Sequence, residues 1–329
     1  MILSNHQRNI FTTVLILFGG YFTAFTTIAA ESKCPPEIKT SNQIFRKPTF
    51  GTDTTYWAMF RNRGVQVKII LPPKSVNGMI LLLPGWNLAD VDWSAKTNVC
   101  SRALSMNFGL VFVEMGKSVY MDSFYPSMRK DYQYYPTRTW LWDTVIKPLQ
   151  DYGWFAPGSS SFALGLSTGA RGALILAIEH QECFRGVAGL SGDYNPLLDK
   201  KDGLMVNTLG VFEKNEFRWK GTNNISLRSK ELNVHTFLAH GENDQIVPIA
   251  QTFDFWGRLE KTELSKTVMP LKKSKSEVSI TRAKLKSSTQ KNTFKKLCLL
   301  TVKDANHDYQ FWDFAGQKAI DFFSEILAH

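Results

Sequence analysis

A serine between two glycines, placed where an apolar strand meets an apolar helix, is the feature that most constrains this chain of 329 residues. The stretch 161–180 reads SFALGLSTGARGALILAIEH, which begins like a strand and ends with Ala, Leu and Ile at helical spacing. We expect Gly165 and Gly169 to supply the backbone freedom that a sharp turn from strand to helix requires. Such a turn would expose Ser167 as a nucleophile, and a tight structural corner is the alternative interpretation.

Strand and helix patterns alternate along the rest of the chain. The apolar runs MILLL (79–83) and GLVFVEM (109–115) are typical of strands that are covered on both faces. A helix pattern covers 139–153, and further strands are predicted at 186–191, 234–241 and 296–302. This alternation predicts an α/β fold with a mostly parallel central sheet and helices on both faces. We see no linker, so residues 31–329 are expected to form a single domain.

The first thirty residues have the pattern of a secretory signal peptide. Arg8 precedes a long apolar run, small residues stand at Ala29 and Ala30, and the next charge is Glu31. We therefore predict cleavage after about residue 30 and an exported protein, either periplasmic or secreted. An uncleaved membrane anchor is the alternative, because the apolar run is long enough to span a bilayer.

Four cysteines remain after that cleavage, namely Cys34, Cys100, Cys183 and Cys298. An even number in an exported chain permits two disulfide bonds, with three possible pairings. Their spacing contains no Cys-x-x-Cys motif, so no metal site is expected.

The net charge of +10 is concentrated in one segment. Between Lys261 and Lys296 there are eleven Lys or Arg and two Glu, whereas the remainder of the chain is close to neutral. We interpret 261–296 as a basic insertion, expected to be a solvated, partly disordered loop. Contact with an anionic surface, such as lipid headgroups or acidic polysaccharide, is the second interpretation. Nucleic acid is not expected as a partner, because no recognised module and few interleaved aromatic residues are present.

A nucleophilic serine needs a base that accepts its proton and an acid that orients the base. Asp244 follows the predicted strand 234–241, and His307 follows the predicted strand 296–302. The order Ser167, Asp244, His307 is the order that a nucleophile elbow on a parallel sheet requires. These three residues are the predicted nucleophile, acid and base.

Four other residues compete for these roles or stand beside them. Glu242 and Asp304 are the rival acids, since both lie in loops near the predicted pair. Asp308 adjoins the predicted base but should point elsewhere, as a loop or solvent contact. His240 precedes a glycine beside the acid loop, and we interpret it as structural.

Acyl transfer also needs hydrogen-bond donors for the developing oxyanion. The backbone N–H of Thr168, directly after the nucleophile, is one predicted donor. The backbone N–H of Trp86, in the loop after the strand 79–83, is the other, with a simple packing role for this residue as the alternative. The aromatic loop containing Tyr120, Phe124 and Tyr125 could wall an acyl or aryl pocket, or pack as a lid.

These motifs resemble the esterase D-like branch of the α/β-hydrolases, which includes S-formylglutathione hydrolases, feruloyl and acetyl-xylan esterases, and mycolyltransferases. The resemblance runs from about Met79 to Phe323, outside the basic insertion. It is carried by GLSTGARGALILAIEHQECFRGVAGLSG (165–192), by GKSVYMDSFYP and TWLWDTVIKPL, and by NHDYQFWDFAGQKAIDFF (306–323). The early loop departs from the family, since it reads Pro84-Gly85-Trp86 and not a His-Gly signature.

The resemblance implies an α/β-hydrolase fold, with Ser167 as nucleophile, Asp244 as acid and His307 as base. It also implies oxyanion donors at Trp86 and Thr168. We therefore predict an exported serine carboxylesterase that forms an acyl-enzyme on an ester substrate, with no metal or organic cofactor. Two alternatives remain: an acyltransferase that uses a sugar or lipid hydroxyl in place of water, and a silent binding protein on the same scaffold. The acyl group, the alcohol and the oligomeric state stay open.

Overall fold

The computed structural model describes residues 47–260, 278–286 and 294–328. These residues belong to one compact unit. The predicted signal peptide, Cys34 and much of the basic insertion lie outside the described residues. Within the described ranges, no helix combines the length and the apolar character needed to cross a membrane.

A nine-stranded sheet forms the centre of the fold. Its strands are β1 (Asp53–Phe60), β2 (Arg63–Ile70), β3 (Gly78–Leu83), β4 (Phe108–Val113), β5 (Ser161–Leu166), β6 (Gly186–Leu190), β7 (His235–Gly241), β8 (Val278–Lys286) and β9 (Phe294–Val302). They lie in the order β1-β2-β4-β3-β5-β6-β7-β9-β8. All pairs from β4 to β9 are parallel, and the pairs β1–β2, β2–β4 and β8–β9 are antiparallel. The predicted mostly parallel sheet is confirmed.

Helices cover both faces of this sheet. The α-helices are α1 (Asp92–Ala95), α2 (Val99–Ser105), α3 (Arg138–Trp140), α4 (Lys147–Leu149), α5 (Thr168–Glu179), α6 (Gly203–Leu209), α7 (Phe212–Trp219), α8 (Ala250–Glu260) and α9 (Tyr309–Leu327). The predicted helix 139–153 corresponds to α3 and α4, which are joined by a π-helical segment, Leu141–Ile146. It ends at Gly153, whose φ of +78° is the left-handed conformation that glycine adopts readily.

Two hydrophobic layers hold the helices to the sheet. Along β3, Leu81 and Leu83 belong to the layer that contains the buried side chains of α5. Ile80 and Leu82 belong to the opposite layer, with residues of α2 and α9. Because successive residues of a strand point to opposite faces, a strand buried on both sides must be apolar throughout. This explains the continuous apolar runs in the sequence.

The basic insertion is only partly a loop. Val278–Lys286 forms the edge strand β8, which pairs with β9 in antiparallel register from Val278 opposite Val302 to Lys286 opposite Phe294. The expectation of a solvated loop is therefore wrong for this stretch. The reason is an alternation of half-buried Val278 and Ile280 with exposed Ser279, which gives β8 one face that packs on the sheet.

The expectation of two disulfide bonds is not met. Cys100, Cys183 and Cys298 are each buried and free, whereas two bonds among four cysteines would join at least two of these three. Cys183 belongs to one hydrophobic layer, and Cys100 and Cys298 belong to the other, across the sheet. Each of the three packs as a small apolar side chain.

Candidate active site

Ser167 occupies a strained turn between β5 and α5. Its backbone has φ +53° and ψ −126°, a conformation that is uncommon for a residue with a side chain. The Ser167 N–H donates to the carbonyl of Leu190 on β6, at 2.8 Å, which holds the turn against the sheet. The strained residue is thus the serine itself, as in a nucleophile elbow.

The two flanking glycines serve a different purpose from the one expected. The positive φ belongs to Ser167, and neither Gly165 nor Gly169 has one. A Cβ on Gly165 would lie 2.0 Å from the carbonyl oxygen of Gly169, and a Cβ on Gly169 would lie 2.2 Å from the carbonyl oxygen of Leu83. The glycines are required by the close approach of α5 to β5 and to the end of β3.

The structure brings the three predicted residues together from three loops at the carboxyl ends of β5, β7 and β9. His307 Nε2 lies 3.0 Å from Ser167 Oγ, and His307 Nδ1 lies 2.7 Å from Asp244 Oδ2. Since the ionised carboxylate can only accept, Nδ1 carries the hydrogen and Nε2 is free to accept the serine proton. This arrangement can activate a serine hydroxyl as a nucleophile.

Asp244 is held as an anion by several donors. Burial acts to raise the pKa of its carboxyl, but the neighbouring His240 and His307 rings and the Val247 N–H outweigh burial and place the pKa well below the usual range. Oδ1 accepts the N–H groups of Ile246 and Val247 at 3.0 and 2.8 Å. The carboxylate is therefore charged and fixed in orientation throughout the physiological pH range.

His240 is a member of this site that sequence reasoning did not identify as functional. The ring is fully buried, with Nε2 2.8 Å from the carbonyl oxygen of Val247 and 3.4 Å from Asp244 Oδ2. Nδ1 lies 2.7 Å from Thr252 Oγ1. Nε2 thus carries the hydrogen, and Nδ1 accepts the threonine hydroxyl proton. The signal in the sequence was a histidine at the end of a buried strand, four residues before the acid.

Of the other acidic residues near the site, Glu242 and Asp308 are engaged elsewhere and Asp304 is exposed. Glu242 accepts a hydrogen bond from Thr301 Oγ1 at 2.9 Å, and Asp308 caps α9 by accepting the Phe311 N–H at 2.9 Å. Asp304 is exposed, with a φ of +60°.

Trp312, one turn into α9, packs edge-on against the His307 ring with 4.9 Å between centroids. This contact supports the position of the imidazole.

A cavity of about 290 Å³ opens beside Ser167. Its walls are mainly apolar side chains from the loops after β3, β4 and β7 and from α6: Trp86, Tyr132, Leu204, Met205, Ile246 and Val247. Trp86 and Tyr132 meet edge to face, with 4.5 Å between ring centroids. The volume is near the lower end for small-molecule sites, so the cavity suits a small ligand.

Tyr120, Phe124 and Tyr125 do not line this cavity, although Tyr132 of the same aromatic loop (116–136) does. Tyr120 is buried and donates its hydroxyl hydrogen to the carbonyl of Pro84 at 2.8 Å, which supports the loop after β3. Phe124 packs against Phe60, and Tyr125 accepts a hydrogen bond from the Asn223 side chain. Of the two interpretations offered by the sequence, these contacts match packing against the body of the fold.

The predicted oxyanion donors lie next to the serine. Thr168 is the first residue of α5, where backbone N–H groups have no partner within the helix. The loop carrying Trp86 is equally near, since a Cβ added to Gly85 would lie 2.9 Å from Ser167 Cβ. Trp86 and Thr168 both line the cavity with Ser167. The two N–H groups therefore belong to segments that flank the nucleophile.

One charged pair in the wall was not foreseen. Asp193, in the loop after β6, lines the cavity, and the buried Arg171 of α5 lies behind it with 3.5 Å between Nη1 and Oδ2. Burial raises the pKa of Asp193 to about 6, and the charge of Arg171 opposes this shift.

Among the described residues, no group of three or more His, Cys, Asp or Glu side chains is arranged to hold a metal ion.

Comparison with solved structures identifies the architecture. The MPT51 (FbpC1) structure from Mycobacterium tuberculosis superposes with a TM-score of 0.60 at 14% identity, covering 84% of this chain and 99% of that one. An S-formylglutathione hydrolase from Agrobacterium tumefaciens gives 0.59 at 12% identity, over 84% and 94%. FphF, a fluorophosphonate-binding serine hydrolase of Staphylococcus aureus, gives 0.57 at 14% identity, over 83% and 97%. The chain has the α/β-hydrolase fold.

The α/β-hydrolase fold expected from the sequence resemblance is thereby confirmed. The similar structures include members of the branch named by that resemblance, at 10–15% identity. The search against protein-family models gives no match to this chain. The search of curated protein sequences gives none either. At such low identity the similarity establishes the fold, so the activity has to be inferred from the site.

Proposed function

We propose that this protein is a serine carboxylesterase. The observation that carries the proposal is the continuous line of hydrogen bonds from Ser167 through His307 to Asp244, at 3.0 and 2.7 Å. The nucleophile sits in a strained elbow beside an apolar cavity, and the fluorophosphonate-binding FphF shares the fold. The carboxyl end of the sheet thus carries a nucleophile, a base and an acid, with space for a substrate beside them.

In the acylation half-reaction, Ser167 Oγ attacks the ester carbonyl carbon while His307 Nε2 takes the hydroxyl proton. Asp244 keeps the ring in the required tautomer and stabilises the imidazolium that forms. The carbonyl oxygen becomes an oxyanion, which the N–H groups of Trp86 and Thr168 stabilise. His307 then returns the proton to the departing alcohol oxygen, and the acyl group stays on Ser167.

In the deacylation half-reaction, water takes the place of the alcohol. His307 removes a proton from the water, the resulting oxygen nucleophile attacks the acyl carbon, and the proton passes to Ser167 Oγ as the acid leaves. An alcohol acceptor could enter by the same route, which would make the product a new ester. Adding an alcohol during turnover therefore measures how the acyl-enzyme divides between hydrolysis and transfer.

The test is hydrolysis of p-nitrophenyl esters, from acetate to palmitate, by the wild-type protein and by Ser167→Ala. We expect turnover by the wild type and a loss of at least about 10³-fold in kcat for the variant, since the whole activation chain acts on this oxygen. The cavity of about 290 Å³ predicts faster turnover of short acyl groups than of palmitate. No labelling of Ser167 by a fluorophosphonate would contradict the proposal and favour a silent binding scaffold.

A further inference from the structure

Thr168 has a buried side-chain hydroxyl that the protein itself does not use. The residue is only 3% exposed, and its Oγ1 has no hydrogen-bond partner among the described residues. It is the neighbour of Ser167 at the start of α5, and it lines the same cavity. A residue of the cavity wall therefore carries a buried hydroxyl that has no partner among the described residues.

The other buried threonines of the described ranges show how unusual this is. Each has a partner for its hydroxyl: Trp140 N–H for Thr137, Leu204 O for Thr208, Val234 O for Thr236, His240 Nδ1 for Thr252 and Glu242 for Thr301. Thr168 alone among these six lacks one. A buried hydroxyl left unpaired destabilises a protein relative to an apolar group of the same shape. Valine would fill the same space without that cost.

We propose that the Thr168 hydroxyl is a third donor to the oxyanion, in addition to the N–H groups of Thr168 and Trp86. This inference rests on the proposed esterase function. The hydroxyl can donate to the carbonyl oxygen of the substrate, and this hydrogen bond strengthens when that oxygen becomes negatively charged. A hydrogen bond to a charged oxygen is about twice as strong as one between neutral groups. The donor therefore favours the transition state over the bound ester, which is the condition for accelerating a reaction.

The chemistry requires no change in the protonation of Thr168. The hydroxyl donates a hydrogen bond and keeps its proton, while the Ser167 proton still passes to His307. The contact forms during attack and is released when the tetrahedral intermediate collapses. Thr168 would act as a catalytic residue through its side chain, although no covalent bond to it is made.

The decisive experiment compares Thr168→Val with Thr168→Ser. Valine has the shape of threonine without the hydroxyl, and serine keeps the hydroxyl without the methyl group. For Thr168→Val we expect kcat on p-nitrophenyl acetate to fall by about 10²- to 10³-fold with KM nearly unchanged, because removal of one oxyanion donor has an effect of this size. Thr168→Ser should recover most of the lost kcat.

Stability separates this role from a structural one. Removing an unpaired buried hydroxyl should leave the thermal unfolding midpoint of Thr168→Val equal to or above that of the wild type. Thr236→Val is the matched control: its hydroxyl is bonded within the protein, at the opposite end of the sheet from Ser167. That variant should lose stability and keep kcat.

Binding of a phenylboronic acid supplies a second readout. The boron forms a bond with Ser167 Oγ while the serine proton passes to His307, and the tetrahedral boronate anion that results carries a hydroxyl oxygen in the place of the oxyanion. The inhibitor should bind Thr168→Val more weakly by the same factor as the fall in kcat. Unchanged kcat and unchanged inhibitor affinity in Thr168→Val would overturn the inference while fluorophosphonate labelling of Ser167 still supported an esterase. Absence of labelling in the wild type would remove both proposals.

Discussion

The buried ring of His240 lies beside the carboxylate of Asp244, with 3.4 Å between Nε2 and the oxygen, Oδ2, that also binds His307. The ring is itself held on its other nitrogen by the Thr252 hydroxyl. Nε2 donates to the carbonyl oxygen of Val247, so the ring links the loop that carries Asp244 to Thr252 of α8. His240 meets only other protein groups, so we regard it as a positioning residue for Asp244.

Replacing His240 tests this positioning role. We expect His240→Gln to lower kcat on a p-nitrophenyl ester by about 10-fold while KM changes little. The reason is that Asp244, without the His240 ring beside it, would hold His307 less well in the orientation needed to accept the serine proton. A spectroscopic readout accompanies it: the downfield proton resonance of the short His307–Asp244 hydrogen bond should shift or broaden. Thr252→Val should have a smaller effect in the same direction. If His240→Gln loses stability but retains kcat and the proton resonance, the residue is purely structural.

The glycine after the elbow provides a prediction about stability. A Cβ at position 169 would meet the carbonyl oxygens of Leu83 and Pro84 at 2.2 and 2.5 Å, and these backbone atoms cannot rotate away. Gly169→Ala should therefore reduce the free energy of unfolding by about 1–3 kcal/mol. It should also lower activity, since it displaces the loop that carries Trp86. Urea denaturation measures the first effect.

Gly203→Ala is the matched control for Gly169→Ala. Gly203 is the first residue of α6, and a Cβ there would have no neighbour within 4 Å. Alanine at this position should leave stability unchanged or raise it by up to about 1 kcal/mol. Equal losses in the two variants would show that close approach is not the reason for glycine at position 169.

The ring of His235 makes the free energy of unfolding depend on pH. Burial, followed by the charges of Lys296 and Arg185, lowers the pKa of this ring from 6.5 to about 4, and Nδ1 accepts the Lys296 N–H at 2.9 Å. The unfolded chain therefore binds a proton more readily than the folded one between about pH 6.5 and pH 4. Since the group's folded pKa is depressed, this ring destabilises the fold progressively as the pH falls through that window.

His235→Asn should remove this contribution while the amide oxygen still accepts the Lys296 N–H. The difference in unfolding free energy between wild type and variant should change by about 1–3 kcal/mol between pH 7 and pH 4, in favour of the variant at low pH. Urea denaturation at several pH values measures it. Parallel curves for the two proteins over this range would contradict the assignment.

Much of the site could be predicted because its residues follow strands directly in the sequence. Ser167, Asp244 and His307 each come after an apolar run, and parallel strands carry such positions to one edge of the sheet. The contact of His240 with Thr252 joins β7 to α8. The contact of Asp193 with Arg171 joins the loop after β6 to α5. These pairings depend on how elements pack, which no local pattern records.

Other expectations failed for physical reasons of the same kind. The glycines were assigned to backbone freedom, but the strained φ falls on Ser167 and the glycines allow close approach. The even number of cysteines permits two disulfide bonds, but Cys100, Cys183 and Cys298 are free, and the sheet separates Cys183 from the other two. The alternation within 278–286 was hidden by its many basic residues, so β8 was read as a loop.

The position of β8 has a consequence for how molecules of this protein meet one another. β9, the strand that leads to His307, would be the last strand of the sheet if β8 were absent, and its free N–H and C=O groups could accept a strand from another molecule. β8 fills that position and presents the exposed side chains of Lys284 and of Arg282, which pairs with Glu325 of α9. Two copies approaching edge to edge would bring two Lys284 side chains together, so the basic strand opposes aggregation at the side of the sheet that holds His307.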